Sequence, residues 1–99
     1  MSDDWIDPGP DASIELVHPC HPGELLRSWM EGHRETAQAT ARRLGVSRAT
    51  LHRVLSGRGR LTPELAVRLE EMGWSDADFW CRLQSQWEIA RVRREREAA

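Results

Sequence analysis

Six arginines, Arg42, Arg43, Arg48, Arg53, Arg58 and Arg60, fall within a stretch from Thr36 to Pro63 that contains no Asp or Glu. Guanidinium groups without local carboxylates are free to pair with phosphate oxygens, and their planar fork also matches the O6/N7 edge of guanine. The chemistry such residues suit is recognition of a polyanion, above all a nucleic acid. Covalent catalysis is poorly served. The chain has no nucleophile elbow, no phosphate-binding glycine loop after a strand and no paired carboxylates in a plausible pocket, so a non-enzyme is expected. Gly57-Arg58-Gly59 is a lone loop and not a nucleotide site. His18, Cys20 and His21 lie close together, with Cys81 available as a fourth ligand. They lack the paired, repeated spacing of zinc sites, and Pro19 and Pro22 suit a turn better, so neither a metal nor a cofactor is expected.

Composition sets the frame for this basic segment. Ninety-nine residues suit one small domain with tails. The formal net charge of −2 hides an asymmetry. Residues 1–15 carry Asp3, Asp4, Asp7, Asp11 and Glu15 and no base, while the basic charge is concentrated in the middle and at the end. An acidic arm on a basic body reads as a solvated tail or as a contact to a basic partner. Two cysteines are too few for a disulfide scaffold, and no secretory signal pattern precedes them, so reduced thiols in a cytoplasmic protein are expected. No apolar run approaches the length needed to span a membrane.

The elements that must hold the arginines can be read from caps and periodicity. Pro8, Gly9 and Pro10 make residues 1–17 an irregular arm, with Ser13–Val17 a short extended segment at most. A first helix runs from Pro22 to about Glu31, with Leu25, Leu26, Trp29 and Met30 as its buried stripe and Gly32 as its end. A second spans Thr36–Leu44 and a third Ser47–Leu55, joined by Leu44-Gly-Val-Ser47. Gly45 suits a left-handed C-cap and Ser47 an N-cap, and small Ala41 lets the two helices cross closely. That is a helix-turn-helix, whose second helix enters a DNA major groove. Thr62 and Pro63 open a fourth helix with Leu65, Ala66, Leu69 and Met72 inward, stopped by Gly73. Ser75 is the expected cap of a fifth helix, with Asp76 and Asp78 at its positive end.

Within this scheme each side chain acquires a task. Arg48 reaches a guanine edge, and Ala49 and the Thr50 methyl meet a thymine methyl. Arg53 faces a base or a phosphate one turn on, and Ser47 bonds a phosphate as well as capping. Arg58 and Arg60, on a glycine-rich loop, meet backbone phosphates, as do Gln38 and Arg42 on the second helix. Leu51, Val54 and Leu55 face inward, and His52 faces solvent or phosphate. The fifth helix carries Phe79, Trp80, Leu83, Trp87, Ile89 and Ala90 on more than one face, so one face covers the bundle and the other packs on a second subunit. A dimer suits two DNA half-sites. From Arg91 to Ala99 the chain becomes highly charged and is expected to fray.

His21-Pro-Gly-Glu-Leu-Leu26, Leu44-Gly-Val-Ser-Arg-Ala-Thr-Leu51, Leu61-Thr-Pro-Glu-Leu-Ala-Val-Arg-Leu69 and Phe79-Trp80 with Leu83-Gln84, in this order and spacing, resemble the HigA antitoxins. These are XRE-type, lambda-repressor-like helix-turn-helix proteins, and the resemblance covers about residues 18–92. It implies an all-α, five-helix lambda-repressor-like domain with a long C-terminal dimerisation helix. Three segments follow: an acidic arm (1–17), a DNA-binding and dimerisation domain (18–92) and a charged tail (93–99). It further implies a homodimer, a RelE-like mRNA endonuclease toxin (HigB) as partner, and repression of the chain's own operon by operator DNA binding. Carried onto this sequence, DNA contacts fall on Ser47, Arg48, Ala49, Thr50 and Arg53, and the dimer contact on Phe79 to about Ala90. Two positions depart from the pattern. Ala37 stands where a phosphate-binding Gln is usual, with Gln38 beside it, and Thr40 replaces a core aliphatic, implying weaker packing or a hydroxyl bonded back to the preceding turn. A stand-alone XRE-type regulator without a toxin is the alternative.

Overall fold

The computed structural model describes residues 20–98; the acidic arm, His18 and the Ser13–Val17 segment lie outside the described residues. Within them the chain forms five helices and no strand: α1 (Pro22–Gly32), α2 (Ala37–Leu44), α3 (Arg48–Leu55), α4 (Pro63–Glu71) and α5 (Ala77–Ala98). Side-chain caps fix where they begin. His21 Nδ1 accepts from Gly23 N at 3.0 Å, and Thr36, Ser47 and Thr62 each accept from the backbone N–H three residues on. Pro22 and Pro63 occupy first-turn positions where the missing N–H costs nothing.

The first four helices end in one way. The N–H of the second residue past the helix bonds back five residues, as from Val46 to Ala41 O (3.0 Å), Arg58 to Arg53 O (2.9 Å) and Trp74 to Leu69 O (2.9 Å). This Schellman closure needs a left-handed residue just before that N–H. Gly45, Gly57 and Gly73 supply it with positive φ. At the end of α1 the left-handed residue is Arg34 (φ 55), and Glu35 N bonds Met30 O at 2.9 Å. Gly32, the expected stop, therefore lies inside α1.

α5 departs from expectation at both ends. Ser75 has φ 65, which removes it from the extended conformation an N-cap needs. Asp76 caps instead, its Oδ1 accepting from Phe79 N at 2.7 Å. At the other end the helix does not fray at Arg91: it continues to Ala98 with residues 91–98 exposed. Arg91 bridges Glu95 one turn on and lies 5.1 Å over the Trp87 ring, contacts that extend the helix past its last core residue.

One core joins the helices. Leu26 and Met30 of α1, Ala41 and Leu44 of α2, Leu51, Val54 and Leu55 of α3, Leu65, Ala66 and Leu69 of α4, with Leu61 and Trp74 from the loops, close over Trp80. Trp80 is fully buried and donates its indole N–H to Trp74 O at 2.5 Å. α1 approaches α3 backbone to backbone at Gly23, where a Cβ would stand 2.0 Å from Val54 O. Behind this contact, Trp29, His33 and Trp74 stack with ring centroids 5.1–6.0 Å apart.

Candidate nucleic-acid interface

The turn between α2 and α3 fixes the presentation of α3. Gly45 (φ 70) reverses the chain, Val46 packs on the core, and Ser47 starts α3 at once. Leu51, Val54 and Leu55 anchor one side, which leaves Arg48, Ala49, Thr50, His52 and Arg53 exposed on the other. The inward and outward sets of α3 thus fall as its sequence implies. Ser47 Oγ accepts from Thr50 N (3.0 Å) and donates to Thr50 Oγ1 (2.9 Å). Its single proton is therefore spent on the cap, and a phosphate bond from Ser47 has to displace Thr50.

The exposed arginines divide by what they already hold. Arg42, Arg48, Arg53 and Arg58 are exposed, and among the described residues none forms a salt bridge. Gln38 is also exposed, one turn before Arg42 on the same face of α2. Arg43 is paired with Glu35, which also accepts from the buried Thr40 hydroxyl at 3.2 Å. Thr40 thus bonds the Glu35 carboxylate and not the backbone of a preceding turn. Arg60 departs from the phosphate role expected of it. Its Nε and Nη2 donate to Glu88 of α5 at 2.5 and 3.2 Å, so this guanidinium is engaged within the protein. The bond to Arg60 holds the Glu88 carboxyl below the usual carboxylate range.

Two further arginines support the motif from outside it, and neither stands out in sequence. Arg68 of α4 donates to Leu44 O, the C-terminus of α2, at 2.7 Å and to Glu64 at 2.9 Å. Arg27 of α1 reaches Leu55 O, the C-terminus of α3, at 3.5 Å. Cations at these carbonyls complement the negative helix ends. Their signal is only a basic residue on a neighbouring helix, with no fixed spacing to the end it caps.

His21 is buried and structural. Its ring meets Trp87 edge-on at 4.8 Å, and burial pushes its pKa below the ordinary 6.5. Burial likewise raises the Cys20 thiol. Among the described residues no group of three or more His, Cys, Asp or Glu side chains is arranged to hold a metal.

α5 distributes its apolar residues differently from the expected interface. Trp80 (0% exposed) and Leu83 (7%) belong to the domain's own interior and are unavailable to a second subunit. Phe79 packs against the core from a half-buried position. Trp87 is half-buried between His21 and Arg91, and Ala90 is half-buried. Ile89 (49%) and Val92 (46%) are exposed, one helical turn apart. Among the described residues no helix is long and apolar enough to cross a membrane.

Residues 26–72 match the helix-turn-helix family model HTH_3. An Escherichia coli (strain K12) protein described as an HTH-type transcriptional regulator, YddM, is 30% identical over 73 residues, covering 74% of this chain and 77% of its own. The Pseudomonas aeruginosa antitoxin HigA, solved with the higBA promoter, superposes with a TM-score of 0.71 at 32% identity, over 75% of this chain and 82% of that one. An addiction module antidote protein of a HigA family from Coxiella burnetii superposes with a TM-score of 0.73 at 25% identity, over 80% and 87% of the two chains.

Proposed function

The chain belongs to the helix-turn-helix family of DNA-binding regulators that includes the HigA antitoxins, and from that premise we propose that it neutralises a RelE-like mRNA endonuclease toxin (HigB) and represses its own operon. It does so as a homodimer in the cytoplasm, with residues 18–92 as the working domain. The observation that carries the reading is the exposed face of α3. Arg48 and Arg53 stand there without carboxylate partners, flanked by Arg42 and Arg58. Arg48, Ala49, Thr50 and Arg53 read bases in the major groove, while Gln38, Arg42 and Arg58 hold phosphates on either side. Ser47 sets the register of α3 through its cap. The second copy packs over Ile89 and Val92, the large apolar side chains α5 leaves in solvent.

A gel-shift titration on the DNA upstream of the chain's own gene, repeated across salt concentrations, tests the reading. Arg48→Ala costs about 1–3 kcal/mol and relaxes preference at one base pair. Arg58→Ala weakens all sequences alike and reduces the salt slope by about one. Unchanged binding in both variants refutes the orientation. The regulator YddM among the relatives favours a second reading, a stand-alone repressor without a toxin. Co-purification with the product of the adjacent reading frame separates the two: a stable complex with a small basic protein supports the antitoxin, and its absence supports the repressor.

A further inference from the structure

The segment that leaves α3 is held from two directions. On one side its backbone folds onto α3: Arg58 N and Gly59 N both donate to Arg53 O, at 2.9 and 2.8 Å. On the other side α5 supplies a polar chain. Gln84, only 2% exposed, accepts from Leu61 N at 2.9 Å through Oε1 and donates to Glu88 Oε2 at 3.0 Å through Nε2. Glu88 in turn receives both donors of the Arg60 fork. A buried amide with both ends engaged has one orientation, so Gln84 sets where the Glu88 carboxylate stands. The Thr36–Pro63 stretch has no acid of its own. The carboxylate that orders its far end must therefore come from elsewhere in the chain, and α5 provides it across 28 residues of sequence.

We propose that Gln84, Glu88 and Arg60 form a tie that fixes the loop leaving the recognition helix against α5, so that these three residues position Arg58 for DNA and do not touch DNA themselves. The inference rests on the DNA-binding reading above. Arg60 is a poor phosphate ligand in this arrangement: reaching a phosphate means giving up two charge-assisted bonds and leaving Glu88 unpaired beside the DNA. Arg58, two residues earlier, has no such commitment and projects from a loop whose both ends are pinned. Three residues on the side away from the groove thereby decide where a phosphate contact stands.

The test uses Arg60→Gln, Glu88→Gln and the double variant, all near in shape to the native residues. Hydrogen exchange on the free protein reads the tie without DNA: both single variants speed exchange of the Leu61 amide and leave that of Leu51 unchanged. Operator titrations across salt read the positioning. Each single variant loses about tenfold in specific affinity, the double variant loses no more than either, and the salt slope stays at the wild-type value. A loss of stability alone moves the melting temperature but neither the affinity of the folded protein nor the non-additivity. The proposal is overturned if Arg60→Gln lowers the salt slope by about one while Glu88→Gln keeps or gains affinity, for Arg60 then touches phosphate. Unchanged Leu61 exchange in Glu88→Gln overturns it too. Wild-type protein that ignores its own upstream DNA defeats the DNA reading and the positioning with it, while the exchange data still report separately on the tie.

Discussion

Gly23→Ala is the smallest change that separates α1 from the recognition helix. A Cβ there would lie 2.0 Å from Val54 O, 2.9 Å from Val54 C and 3.0 Å from Leu55 Cα. All three are backbone atoms, so no rotamer change relieves the clash. Bringing the shortest contact out to 3.4 Å, the near edge of ordinary packing, requires the helices to part by more than an ångström. That gap loosens Leu26 from Val54 and Leu55, which are all buried at this junction. Overpacking of a core costs about 1–3 kcal/mol, and a rigid backbone-on-backbone clash belongs at the upper end, about 3 kcal/mol. For a domain of this size each kcal/mol moves the midpoint by about 4–8 °C, so the melting temperature falls by about 12–24 °C. Thermal unfolding followed by circular dichroism measures it. Gly32→Ala is the control: nothing lies within 4 Å of its Cβ, and the variant melts at or slightly above the wild type. A Gly23→Ala midpoint within about 3 °C of wild type refutes the close approach of α1 to α3.

Three further outcomes are expected. Arg68→Met removes the bond to Leu44 O and costs about 1 kcal/mol, reduced from the full value of a charged hydrogen bond because Arg68 is partly exposed. Urea unfolding reads this cost. The His21 pKa is lowered by burial, so the unfolded chain binds the proton first as pH falls below about 6.5, and stability is lost through that range down to the folded value. His21→Asn keeps a capping oxygen without the titration, so the wild type loses more melting temperature than the variant between pH 7.5 and 5.5; parallel losses contradict the assignment. Replacing both Ile89 and Val92 by Glu yields a monomer in sedimentation and, if α5 is the dimer face, weakens operator binding without lowering the melting temperature of the folded unit.

Local signals carried most of the fold. Gly45 and Ser47 punctuate the turn by backbone chemistry that depends only on near neighbours, and Leu51, Val54 and Leu55 mark their own side of α3 by spacing. Thr62-Pro63 and Gly73 did the same for α4. What stayed hidden depends on distant partners. Whether Arg60 faces a phosphate or a carboxylate is decided by Glu88, 28 residues on. α5 is apolar on several sides over 22 residues, and its periodicity does not say that Trp80 and Leu83 turn inward while Ile89 and Val92 turn out. The left-handed Arg34 escaped notice because glycine two residues earlier is the better-suited type, yet the helix still had one turn of packing for Trp29 and Met30 to complete.

The stacked Trp29, His33 and Trp74 lie behind the α1–α3 contact, and Trp80 and Trp87 belong to α5. No tryptophan occurs between Thr36 and Arg60, and the chain has no tyrosine at all. Ultraviolet-excited emission of the described region therefore originates entirely in the rear half of the molecule, leaving the DNA-facing half optically silent. A change in that emission on adding an oligonucleotide would report strain transmitted through the domain, and a flat trace would signify a rear half that does not register the ligand.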